Sequence, residues 1–126
     1  MKYECDPRFE PYYLEDSYVL GVDESDSSRL AFSLLLVLTP RHPLYSAPNP
    51  NEQYCYRNGS LTFEGVSAIN WADRTFKPVH DAAGEVDYGN IDVFELEPGD
   101  RYYLEGDWGR VTVTAKSARI EIAAAS

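Results

Sequence analysis

"RYYLEGDWGRVTVTAKSARIEI" occupies residues 101–122. Its apolar positions recur every second residue, and no helical period fits it. Alternation of this kind belongs to a half-buried strand. Placing the bend at Gly106-Asp107-Trp108-Gly109 pairs Glu105 with Arg110, Leu104 with Val111, Tyr103 with Thr112 and Tyr102 with Val113. The first couple joins opposite charges and the second two aliphatic side chains, as favourable cross-strand neighbours should. A second turn at Lys116-Ser117 then pairs Val113 with Ile120 and Val111 with Ile122. In that register Tyr102, Leu104, Val111, Val113, Ile120 and Ile122 share one apolar face. Thr112, Thr114, Arg119 and Glu121 share the other. One dry and one wet face is the mark of an antiparallel sheet packed on a core.

The rest of the chain continues in the same grammar. "SYVLGV" (17–22) and "RLAFSLLLVLT" (29–39) read as strands separated by the acidic turn "DESDSS". Leu30, Phe32, Leu34, Leu36 and Leu38 share one face, while Leu35 and Val37 make the other face apolar as well. A strand covered on both sides is central. The four prolines of "PRHPLYSAPNPNE" (40–52) forbid regular pairing, and this stretch is expected to cross between two sheets. "YCYRNGSLTF" (54–63) contains Asn58-Gly59, the pair favoured in a two-residue type I′ turn. A hairpin there would put Tyr54, Tyr56, Leu61 and Phe63 on one face. "GVSAINW" (65–71) and "IDVFELE" (91–97) read as further short strands, with a turn at Pro98-Gly99-Asp100. Residues 1–16 read as irregular structure lying across a sheet edge, with room for a short helical turn. The expected fold is therefore all-β: a single-domain antiparallel β-sandwich of about seven to nine strands spanning residues 1–126. Its expected core holds Leu20, Phe32, Leu34, Leu36, Leu61, Phe63, Leu104, Val111, Val113 and Ile120.

Composition bounds the function. The chain has 126 residues, 17 of them aromatic, and a formal net charge of −10. Such a surface repels nucleic-acid phosphates and anionic lipid headgroups, so neither is an expected partner. A basic protein would be attracted, with a salt-dependent encounter. The opening "MKYECDPRFEPYYLEDSY" has no apolar segment of signal-peptide type, and a cytoplasmic location is expected. Cys5 and Cys55 are far apart and read as free thiols. They and the histidines His42 and His80 lack zinc-site spacing. No cofactor and no metal are expected.

Several stretches carry oxygen, nitrogen or ring chemistry. "GEVDYGNID" (84–92) gathers Glu85, Asp87, Asn90 and Asp92 around Tyr88. Those oxygens suit a cation, but their spacing is not that of an EF-hand, and Asn, Asp and Gly are what a turn needs. His80-Asp81, with Glu85 close behind, is the acid–base pair a hydrolase would use, although no nucleophile-elbow motif accompanies it. The bland alternative is a solvated histidine. Trp108 sits at a hairpin tip, where its ring either folds back over the loop or meets a partner. Asp107, Asp87, Asp81, Glu85 and residues 23–28 would form an acidic rim if their loops shared one end of the fold.

"SLTFEGV", "IDVF" and "YYLEGDWGRVTVTAKSARIEI", in that order, resemble small, acidic, all-β bacterial proteins, largely uncharacterised, some of them grouped with immunity proteins of polymorphic toxin systems. The shared positions are Leu61, Phe63, Val66, Ile91, residues 103–109 and the final strands. The resemblance implies a non-catalytic binding protein and carries over no catalytic residues. Three functions follow for testing. The first is a non-catalytic acidic interaction module of the immunity type, binding a basic partner through Trp108, Tyr88, Asp87, Glu85, Asp107 and His80. The second is a small-ligand or carbohydrate-binding module using exposed Tyr and Trp rings. The third is a hydrolase using His80. A homodimer through a strand edge or sheet face is also open.

Overall fold

The computed structural model describes residues 1–76, 79–80 and 86–123, the side chains of Val79 and His80 excepted. Among these there are eight strands and no α-helix: β1 (Tyr18–Asp23), β2 (Arg29–Leu38), β3 (Cys55–Arg74), β4 (Val79–His80), β5 (Val86–Asp87), β6 (Val93–Glu97), β7 (Arg101–Gly106) and β8 (Gly109–Ile122). The pairing is antiparallel throughout. Six strands form one sheet in the order β1-β2-β3-β8-β7-β6, and β4 pairs with β5 as a separate ribbon. The ladder thus draws one continuous large sheet, where the sequence reading expected two facing ones.

The sheet encloses a core because it bends. β3 and β8 run through its whole length, and β3 carries irregularities at Val66/Ala68 and Trp71/Asp73. Each bulge adds a residue on one strand, bends it and increases its twist. Residues 88–92 close the curl. Val19 N–H donates to the Gly89 carbonyl and Tyr88 N–H to the Val19 carbonyl, both at 2.8 Å. Asp92 N–H donates to Glu105 of β7, also at 2.8 Å. The N-terminal segment covers what is left. Lys2 bridges Glu95 of β6, while Tyr12 bridges Leu38 of β2. A short 3₁₀ turn follows each anchor, Tyr3–Cys5 and Leu14–Asp16. Phe9 and Leu14 are fully buried, and Phe9 meets Phe94 edge-on with ring centroids 4.9 Å apart.

The register around residues 106–109 is the one read from the sequence: Glu105 opposes Arg110, Leu104 opposes Val111, Tyr103 opposes Thr112 and Tyr102 opposes Val113. Gly106 also pairs with Gly109, so the loop is only Asp107-Trp108. Phe32, Leu34, Leu36, Leu61, Phe63, Leu104, Val111 and Val113 are buried as expected, and Ile120 packs partly buried against them.

Four local expectations are corrected. Asn58-Gly59 is no turn; it lies inside β3, with Asn58 opposite Leu35 and Gly59 between Leu34 and Ile122. Glycine is needed there for close approach. A Cβ on Gly59 would sit 2.3 Å from the Glu121 carbonyl oxygen and 2.6 Å from Leu36 Cδ1. Lys116-Ser117 is likewise inside β8, where Ser117 pairs with Glu64 of β3. Ile120 therefore opposes Leu61 in place of Val113. The proline-rich stretch joins neighbouring strands of one sheet, since Leu38 pairs directly with Cys55. Finally, Leu20 faces outward at 39% exposure. The register slips between Val19 and Gly21, so Val19 takes the core position.

Two substitutions separate strand from turn at residues 58–59. Gly59→Ala is expected to cost about 1–3 kcal/mol through overpacking. Asn58→Thr, unsuited to a type I′ turn but favourable in a strand, should leave the urea midpoint unchanged or raise it.

Candidate functional site

The second face of β2 accounts for the main surface feature. With Leu30, Phe32, Leu34, Leu36 and Leu38 turned inward, Leu35 and Val37 must point to the outer side of the sheet. Leu35 pairs with Tyr18 of β1, and Val37 pairs with Tyr56 of β3. The slip at residues 19–21 adds Leu20 to the same outer surface. Residues 86–90 and Asp107 rise beside β1, because Gly89 is tied to Val19 and Asn90 bridges Tyr18. Together they bound a groove of about 540 Å³. Its apolar lining is Tyr18, Leu20, Leu35, Tyr56 and Val86; its acids are Glu52, Asp87 and Asp107. Among the described residues no lysine or arginine lines it.

Tyrosines extend this surface toward the proline-rich loop. The Tyr13 and Tyr54 rings meet edge-on at 5.9 Å, and those of Tyr54 and Tyr56 at 6.0 Å. The Tyr54 hydroxyl donates to Asp16 Oδ2 at 2.5 Å. That bond holds the neutral phenol, so the Tyr54 pKa is pushed up to about 12. Partial burial, with Tyr18, Asp16 and Glu52 nearby, raises Tyr56 as well. Both rings are therefore neutral hydroxyl-bearing surfaces at ordinary pH. A smaller apolar hollow of about 190 Å³ adjoins Tyr13, Val37, Tyr45, Tyr54 and Cys55.

The residues singled out in the sequence divide between places. Asp87 and Asp107 come together at the groove. Asp87 also serves its turn, because its Oδ1 accepts the Gly89 N–H at 2.8 Å. Trp108 folds back completely and has 0% exposure. Its Nε1–H donates to the Asn90 carbonyl at 2.9 Å, and its ring lies 5.2 Å from Phe32 and 6.1 Å from Trp71. Gly106 makes this possible: a Cβ there would stand 2.2 Å from the Asn90 oxygen and 2.4 Å from Trp108 Nε1. Tyr88 is partly buried against Phe76, at 5.3 Å between ring centroids, and does not line the groove. The backbone of His80 pairs with Val86. The His80 side chain, Asp81 and Glu85 lie outside the described residues.

The other acids act elsewhere. Asp23 and Asp26 accept hydrogen bonds from Ser25 and Ser28. Glu24 accepts from Trp71 Nε1 at 2.8 Å and from Arg74 at 2.6 Å, which fixes the β1–β2 turn against the end of β3. Asp92 faces a separate hollow with Glu4, Glu15 and Glu95. Asp87 and Asp92 thus serve different surfaces. Among the described residues no three His, Cys, Asp or Glu side chains are grouped to hold a metal ion. His42, in the long loop, accepts Leu44 N–H at Nδ1 (3.0 Å), which leaves Nε2–H for the Tyr12 hydroxyl (3.1 Å). Burial lowers its pKa.

No protein-family model, curated protein or solved structure matches the chain. Among the described residues no helix is long and apolar enough to cross a membrane.

Asp92 gives a pH-dependent check on the acidic hollow. Partial desolvation, then repulsion from Asp107, Glu105 and Glu15, raises its pKa above 3.8. The folded state then binds the proton more tightly than the unfolded chain, so stability falls as pH rises through this window. Asp92→Asn is expected to raise the unfolding midpoint at neutral pH. The gain should vanish below 3.8, where both states are protonated.

Proposed function

We propose that this protein is a non-catalytic, acidic protein-interaction module that binds a basic partner, of the immunity type that its C-terminal half resembles. The observation that carries the reading is the outer groove. It combines exposed Leu20 and Val86 and half-buried tyrosines with Glu52, Asp87 and Asp107, and among the described residues no cation lines it. Tyrosine offers large contact area with little side-chain entropy to lose. The carboxylates attract an oppositely charged surface over a distance set by salt. The net charge of −10 acts in the same direction over the whole molecule. A cytoplasmic location belongs to this proposal.

A second reading has one specific support. The groove volume of about 540 Å³ suits a small organic ligand, and Tyr18 and Tyr56 could stack on apolar sugar faces. The hydrolase reading draws no support from the described residues.

Binding to a panel of basic proteins, with acidic proteins of similar size as controls, tests the first reading. Association with a basic member should weaken steeply between low and high ionic strength, mostly through a slower association rate. Salt-independent binding, or preference for the acidic controls, would remove it. Saturable binding of a neutral sugar, with no response to the basic panel, would favour the second.

A further inference from the structure

We infer that the groove between β1, β2, β3 and residues 86–90 docks an extended segment of the basic partner, one carrying an apolar side chain flanked by lysine or arginine. This rests on the proposed function and locates it. The floor is apolar: Leu20 and Val86 are 39% and 44% exposed, and Tyr18, Leu35 and Tyr56 complete it. Leu20 stands out because the β1 ladder slips there, so an aliphatic side chain that could have entered the core is turned to solvent.

The acids lie on two sides of that floor. Asp87 and Asp107 accompany residues 86–90 beside β1, and Glu52 precedes the start of β3. From β1 to β3 is two strand spacings, about 10 Å. In an extended segment the residues flanking a central one are about 6.7 Å apart, and lysine or arginine stems cover the remaining distance. A central Leu or Phe would then sit on Leu20, Leu35 and Tyr56 while its basic neighbours reach the carboxylates. Two copies of this chain, each at −10, would bring like-charged rims together, which disfavours a second copy as occupant.

The probes are the peptides Lys-Leu-Lys-Phe-Lys and Lys-Gly-Lys-Gly-Lys, equal in length and charge. They are titrated into the ¹⁵N-labelled full chain and followed by NMR. The first peptide is expected to bind about tenfold more tightly, a difference worth 1.4 kcal/mol, with amide shifts confined to Leu20, Leu35, Tyr56 and residues 86–90. Leu20→Lys should abolish that preference while the spectrum elsewhere is unchanged. Asp107→Asn, at an exposed turn, should weaken both peptides and provides a second variant if Leu20→Lys perturbs folding. Equal binding of the two peptides, with shifts scattered over the acidic surface, would overturn the groove assignment and leave the acidic-module reading standing. Binding of neither peptide at low salt would overturn both. Concentration-dependent shifts at the groove without peptide would assign it to a second copy and overturn the inference.

Discussion

The ladder between β3 and β8 is the constraint on which the rest depends. It runs from Gly59 opposite Ile122 to Arg74 opposite Gly109, and it joins β1 and β2 on one side to β7 and β6 on the other. Without it there would be two small sheets, neither able to bury Leu30, Phe32 and Leu34 against Leu104, Val111 and Val113. Its bends turn a flat ribbon into an enclosure. Its close contact at Gly59 lets the Glu121 backbone and Leu36 occupy neighbouring space. Residues 88–92 and the N-terminal segment then cover edges that would otherwise offer unpaired backbone groups to another chain.

Much of this fold was legible, and the pattern of misreadings is physical. The hairpin around residues 106–109 was readable because charge, aliphatic pairing and the glycines all favour one register. Asn58-Gly59 carries an equally strong local turn signal, yet it lies within a strand. Local preference lost there to long-range pairing with Leu34, Leu35 and Ile122, partners a short window cannot see. Lys116-Ser117 looked like a turn because two polar residues interrupt the alternation. In the fold the interruption marks a change of buried face inside β8, from Ala115 to Ala118. Leu20 was misplaced because a one-residue slip reverses every inward–outward assignment, and nothing in the composition of residues 17–22 announces it.

The candidate site was legible only in part. Asp87 and Asp107 were recognisable as rim acids, and the fold brings them together. The apolar floor was not assembled, although a clue was present in Leu35 and Val37 on the second face of β2. Two apolar residues there predict burial on both sides; Val37 satisfies this, whereas Leu35 lines the groove. Trp108 was the most conspicuous ring in the chain, and its work is internal. Its indole N–H satisfies the Asn90 carbonyl and so ties the hairpin loop to the segment that closes the sheet.

The docking of residues 1–17 has a consequence for biosynthesis. Phe9 and Leu14 leave the ribosome about eighty residues before the stretch that holds Phe94, which Phe9 meets. Until that stretch emerges, these aromatic and aliphatic side chains have no native cover. Native packing of this segment therefore waits for synthesis of the later stretch, and in that interval its apolar side chains are open to a chaperone.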